Sequence, residues 1–181
     1  MKYIRITFAT VFIFLGCLCI AQPSITLKPK FENTTYDTNL TDSEKKDIQT
    51  QWEVDDAKIQ KYVATNNIKD IFWLKSGLFY TIEKQGNGAV ANINSVVKVK
   101  YNLTTLEGAS VWTTDKTGGT EVRALKDFVY GFAEGLQLLK PGGKMKLFIP
   151  SALAYGTKGW GKKIPANTCI IYEVELIEVY N

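Results

Sequence analysis

The chain has 181 residues, 45% hydrophobic, 12% aromatic and 22% charged, a globular balance far from disordered or fibrous extremes. Net charge is +4, and because the first 21 residues hold Lys2 and Arg5 but no acid, residues 22–181 carry only +2. So small an excess excludes a nucleic-acid-binding surface built on bulk charge. The chain contains no His, which excludes a Ser-His-Asp triad, a Cys-His pair, an HExxH zinc site and any imidazole base. Three Cys, two of them Cys17 and Cys19 near the N-terminus, exclude a disulfide scaffold or a CxxC…CxxC metal site. Any chemistry must proceed without imidazole.

The chain starts with the positive segment Met1–Arg5, followed by the apolar run Phe8–Ala21, 14 residues long. A bilayer span needs about 20 residues, so this pattern predicts an export signal over 1–21. Cys19-Ile20-Ala21 before Gln22 fits ordinary cleavage. Phe14-Leu15-Gly16-Cys17 is the rival, resembling a lipoprotein box that would place a lipid on Cys17. An uncleaved anchor is the third reading. After ordinary cleavage only Cys169 remains of the three Cys. The folded part is expected outside the cytoplasm, periplasmic or secreted, and touching a membrane only through a lipid at Cys17.

Residues 22–40 hold Pro23, Pro29, Asn33, Thr34, Thr35 and Asn39 and few apolar groups, which predicts a linker. A charged run follows, with Asp42 or Ser43 placed to cap a helix. Ile48, Trp52, Ile59, Tyr62 and Val63 recur at helical spacing, predicting one or two amphipathic helices between 43 and 66. The segment 41–75 is thus expected as a helical prefix packed on the main domain. From Ser76 the character changes. Leu78–Ile82 is rich in strand formers and is closed by Gly86-Asn-Gly88. Val97, Val99, Tyr101 and Leu103 alternate with polar residues, a strand with one buried face. Glu107-Gly108 turns into a strand at Val111-Trp112-Thr113. Phe132, Leu136 and Leu139 share one helical face, and Pro141-Gly142-Gly143 ends that helix. Lys144–Ile149 returns as a strand. The last strand, Ile170–Leu176, puts Ile170, Tyr172, Val174 and Leu176 on one face. The fold class is α+β, an antiparallel sheet curled over one short helix.

Phe132-Ala-Glu-Gly-Leu-Gln-Leu-Leu-Lys-Pro-Gly-Gly143, Ile149-Pro-Ser-Ala-Leu-Ala-Tyr-Gly156 and Ile164-Pro-Ala-Asn-Thr-Cys-Ile-Ile-Tyr-Glu-Val-Glu-Leu176 follow one another at fixed spacing. With Ser76-Gly-Leu-Phe-Tyr80 and Val97-Lys-Val-Lys-Tyr101 upstream, residues 76–181 resemble the FKBP-type peptidyl-prolyl cis-trans isomerases. The resemblance implies five or six antiparallel strands wrapped on a short helix, with an apolar prolyl pocket between them. It carries over position by position. Tyr101 matches the pocket-wall Tyr. Phe132 stands where the family has a larger Trp on the pocket floor. Phe128 and Val129 match a pair whose backbone faces the ligand. Tyr155 matches the Tyr that donates to a substrate carbonyl. Ile164 matches a wall Ile, and Tyr172 replaces a Phe on the last strand. Tyr101, Phe132, Tyr155 and Tyr172 are the expected catalytic set.

One segment departs from the family. Where the family has a Phe and an Asp in the pocket, this chain reads Val111-Trp112-Thr113. Without a gap, Val111 replaces the Phe and Trp112 the Asp. With a one-residue insertion, Trp112 is the wall and Thr113 takes the place of the Asp. Either way that carboxylate is missing, and Asp115 is the nearest acid in sequence. Val122 and Arg123 stand where a further aromatic is expected. The loop 156–163 is basic and carries Trp160 over the pocket.

The chemistry implied suits a chain without His. Rotation about an X-Pro bond moves no proton, and its barrier of about 18–20 kcal/mol comes from amide resonance. A dry apolar pocket that fits the twisted imide lowers that barrier with no cofactor or metal. The implied partners are proline-containing polypeptides, with macrolide immunosuppressants held weakly because the acid is missing, and no nucleic acid. The alternative function is a low-activity peptide-binding or chaperone module using the same groove.

Overall fold

Residues 41–180 are described by the computed structural model. The expected export signal, Cys17 and the linker lie outside the described residues. Helix α1 spans Asp42–Thr65, a single helix of 24 residues. Its cap is Thr41, one residue ahead of the expected Asp42 or Ser43. The reason is a reciprocal pair: Glu44 N–H donates to Thr41 Oγ1 at 3.3 Å, and Thr41 N–H donates to the Glu44 carboxylate at 2.7 Å. Only Thr41 stands three residues before a Glu, so only it satisfies two orphan amides at once.

The strands are β1 (Phe72–Trp73), β2 (Phe79–Lys84), β3 (Val96–Thr105), β4 (Ser110–Thr113), β5 (Glu121–Ala124), β6 (Gly143–Ile149) and β7 (Ile170–Tyr180), with helix α2 at Tyr130–Leu136 between β5 and β6. They form one sheet in the order β1-β2-β6-β7-β3-β4, with β5 also paired to β3. Every pairing is antiparallel. The sheet has seven strands rather than five or six, because the short β1 and β5 join it. β1 falls inside the segment expected to be helical. β7 runs to Tyr180, past the expected end at Leu176, since Val179 and Tyr180 still find partners in Val97 and Val96.

Alternation along the strands sorts side chains onto two faces. Tyr101, Leu103, Leu147, Ile149, Ile170, Tyr172, Val174 and Leu176 join Phe132 and Leu136 of α2 in the main core. Phe79, Phe148 and Ile171, one position out of phase, form a second core with Ile59 of α1, where Tyr62 packs on Phe148 at 5.9 Å. Both faces of the sheet are therefore covered, the first by α2 with Trp52 of α1 also packed into its core, the second by α1.

Helix α2 ends at Leu136 instead of reaching Leu139. Leu138 and Leu139 donate to Gly135 and Leu136, three-residue bonds that tighten the last turn. Glycine sets how closely α2 approaches β6. A Cβ on Gly131 would lie 2.5 Å from Ile149 Cγ2, and one on Gly135 would lie 2.4 Å from Leu147 Cδ2. Four residues apart on one helix face, they let the helix backbone sit against the strand and draw Phe132 into the core.

Candidate active site

Where β3 and β7 pass in front of α2, the sheet and the following loops enclose a cleft of about 390 Å³. Strand pairing supplies its back wall. Leu103 faces Tyr172 across β3 and β7 and faces Trp112 across β3 and β4. Tyr101, two residues before Leu103, projects on the same side. Tyr101 and Tyr172 approach to 5.3 Å between ring centroids. Phe128 and Val129 enter from the residues just before α2, where the Val129 carbonyl accepts from Phe132 and Ala133 N–H. The remaining wall is the loop after β6. There Tyr155 stacks on Trp160 at 5.5 Å with planes 6° apart. Trp160 is held by N–H and C=O exchange with Ile164 at 2.7 and 3.3 Å. Lys163 Nζ lies over both Trp112 and Trp160, at 5.1 and 4.9 Å, so the two indoles share one cation.

Of the residues singled out from sequence, Tyr101, Trp112, Phe128, Val129, Tyr155, Trp160 and Tyr172 line the cleft. Phe132, Val111 and Ile164 do not reach its surface: they are buried and back the lining residues. Phe132 is wholly enclosed, stacked on Phe128 at 4.4 Å and packed on Tyr172 at 4.6 Å. Val111 turns into the core because it alternates with Trp112 along β4. Trp112 faces the cleft, as either register expects, and the Thr113 hydroxyl is spent locally, accepting from Asp115 N–H at 3.3 Å.

Asp115 is not the cleft's acid. It is exposed and pairs with Lys100 at 2.9 Å. A carboxylate is nevertheless present, from β5. Tyr101 OH donates to Glu121 at 2.7 Å, and Arg123 donates to the other Glu121 oxygen at 3.3 Å. The Arg123 guanidinium also lies over Phe128 at 5.1 Å. Leu103, Glu121, Arg123, Asp127 and Lys163 complete the lining. Leu103 was legible, two residues from Tyr101 in an alternating strand. Arg123 stood at a position where the resemblance expects an aromatic, but Glu121 was not legible, because a four-residue strand with one exposed Val carries no periodic signal.

The phenols share one electrostatic character. Burial pushes Tyr101 well above the ordinary tyrosine value, reinforced by its bond to Glu121. Burial does the same to Tyr172, and to Tyr155. The contact between Tyr172 and Tyr155 adds to the rise at Tyr172 and opposes it at Tyr155. Among the described residues no group of three His, Cys, Asp or Glu is placed to hold a metal.

A curled antiparallel sheet on a short helix, with a tyrosine-walled cleft between them, defines an FKBP-like α+β domain. Residues 88–177 match the FKBP-type peptidyl-prolyl cis-trans isomerase family, and the chain belongs to that family. It is 34% identical over 145 residues to the FKBP-type peptidyl-prolyl cis-trans isomerase FkpA of Aeromonas hydrophila, covering 80% of this chain and 54% of that protein. It is 33% identical over 124 residues to the outer membrane protein MIP of Legionella longbeachae, covering 68% of this chain and 53% of that protein. The crystal structure of FkpA from Escherichia coli is similar with a TM-score of 0.63 and 28% identity, over 78% of this chain and 74% of that chain. The chain spans about half the length of these two sequence relatives.

Proposed function

We propose that this protein is a peptidyl-prolyl cis-trans isomerase acting on X-Pro bonds of unfolded or newly exported polypeptides. The observation that carries this reading is the aromatic cleft walled by Tyr101, Phe128, Tyr155 and Tyr172, with the Tyr101 and Tyr172 rings 5.3 Å apart. Tyr155 lines the same cleft, where its hydroxyl donates to a substrate carbonyl next to proline. The prolyl ring enters between Tyr101, Phe128 and Tyr172, with Phe132 behind them. Removing the imide from water withdraws the hydrogen bonds that favour its planar, polar ground state. A cleft shaped for the twisted imide then favours the transition state over both isomers, and each ~1.4 kcal/mol of that preference gives about tenfold in rate. No proton is transferred, in keeping with neutral phenols and the absence of His. The assay is cis-to-trans isomerisation of a short proline-peptide series, with turnover expected.

We take 76–181 as the isomerase unit, 41–75 as its helical prefix and 22–40 as the linker. Export is supported by Lys2, Arg5 and the 14-residue apolar run, and by likeness to a protein named as an outer membrane protein. Mass spectrometry of the mature protein is expected to find Gln22 at the N-terminus or a lipid on Cys17; soluble protein that retains Met1 contradicts export. One observation favours a second reading, a peptide-binding module with little turnover. Trp112 and Lys163 together narrow the mouth where the family carries a small acid. Weak macrolide binding follows from the same feature, because an indole donates but cannot accept. A folded protein that binds proline peptides without isomerising them identifies this second reading.

A further inference from the structure

Helix α1 lies outside the family match, yet one of its residues reaches the loop that carries Tyr155. Asp55 is fully buried. Its Oδ2 accepts from Ser151 N–H at 2.8 Å and from Ser151 Oγ–H at 2.6 Å, across 96 residues of chain. Its Oδ1 accepts from Gln51 at 2.7 Å, and its main-chain carbonyl accepts from the Cys169 thiol at 4.0 Å. Ser151 opens the loop after β6 and Cys169 closes it, so a single residue of α1 touches both ends of the segment that holds Tyr155, Trp160 and Lys163.

Ser151 passes this hold on. Its carbonyl accepts from Ala154 N–H at 3.0 Å and from Gly156 N–H at 2.8 Å, the residues on either side of Tyr155. From these contacts we propose that Asp55 is a positioning residue for Tyr155. α1 fixes Ser151, Ser151 fixes the two neighbours of Tyr155, and the hydroxyl is thereby held at the cleft. The prefix is then part of the catalytic apparatus and more than a cover on the sheet. Two hydrogen bonds converge here on one buried oxygen. This inference rests on the isomerase reading only where activity is the readout.

The test uses the full chain with Asp55→Ala, Asp55→Asn and, as a control on the same helix, Ile59→Val. Thermal melting, amide hydrogen exchange over residues 151–156 and separate kcat and KM values are measured for each. Asp55→Ala is expected to speed exchange of the Ser151, Ala154 and Gly156 amides and to lower kcat on the order of tenfold, the scale of a sub-ångström misplacement, with KM little changed. Asp55→Asn turned with its carbonyl toward Ser151 keeps both bonds and is expected to restore kcat to within about threefold. Ile59→Val is expected to lower the melting temperature while leaving exchange at 151–156 and kcat alone. If Asp55→Ala fails to fold, Ser151→Ala replaces it; losing one of the two bonds is then expected to give a smaller change in the same direction. Folded Asp55→Ala with wild-type exchange and kcat overturns the proposal, as does an Asp55→Asn variant no better than the alanine. Wild-type protein without turnover overturns the isomerase reading instead, and the exchange data then still decide whether Asp55 holds the loop.

Discussion

Phe132 shows how pocket and core share side chains. It is fully buried and meets the rings of Phe128, Tyr172 and Tyr101 at 4.4, 4.6 and 5.8 Å. Phe132→Ala is therefore expected to cost about 3–5 kcal/mol of stability, as for other buried Phe, and to lower activity by slackening the walls it supports. Denaturant melts read the first and peptide turnover the second. The buried phenols make a further prediction. Their folded-state values lie above the ordinary tyrosine value, so the fold holds them protonated. That contribution is complete below about pH 10, the unfolded value. Above it the unfolded chain sheds protons that the folded chain keeps, and stability falls as pH rises. Melting temperature is expected to drop steeply above about pH 10. With no His in the chain and the cleft phenols raised, kcat/KM is expected to stay flat from about pH 7 to 9. An imidazole-like inflection in that range contradicts the assignment.

At the scale of elements, α2 depends on its two glycines. Gly135→Ala removes backbone freedom and by propensity alone gains up to about 1 kcal/mol. The added Cβ, however, falls 2.4 Å from the side chain of fully buried Leu147, which has no free space to turn into. Overpacking of this kind costs about 1–3 kcal/mol, so the variant is expected to be destabilised on balance; urea titration decides the sign. The elements also show what sequence could and could not convey. β3 and β7 were plain because apolar and polar residues alternate over Val97–Thr104 and over Tyr172–Leu176. α2 was located by its apolar face, but its end was misjudged, because Leu139 is buried after the helix has already tightened into a different turn. β5 was invisible, and with it Glu121, since pairing to β3 rather than any local pattern makes it a strand. The Thr41 cap was missed by one residue because Asp and Ser are equally good caps until the Glu at the third helical position is counted.

Across the whole molecule, the two helices divide the work. α2 fills the concave face and carries the cleft's approach residues Phe128 and Val129 at its entry. α1 covers the opposite face through Ile59 and Tyr62 and ties the loop after β6 through Asp55. The aromatic set Tyr101, Phe132, Tyr155 and Tyr172 was legible from motif and spacing. Of the charged groups around it, the basic loop ending at Lys163 was legible and Glu121 was not, because Glu121 reaches the cleft from a short strand. Three charged side chains of the lining are paired or lie over rings: Glu121 with Arg123, Arg123 over Phe128, and Lys163 over Trp112 and Trp160. On the proposed reading, the aromatic walls receive the prolyl ring and withdraw the imide from water.

The central claim is that Tyr155 donates its hydroxyl to a substrate carbonyl within an aromatic cleft that desolvates the X-Pro bond. The most direct test is the cis-to-trans rate of a proline peptide with wild-type protein and with Tyr155→Phe, both shown folded by thermal melting. The account predicts measurable wild-type turnover and a loss on the order of tenfold in kcat/KM for Tyr155→Phe, about one hydrogen bond's worth of transition-state stabilisation, at nearly unchanged stability. Tyr155→Phe turning over at the wild-type rate, or wild-type protein inactive on every proline peptide, contradicts it.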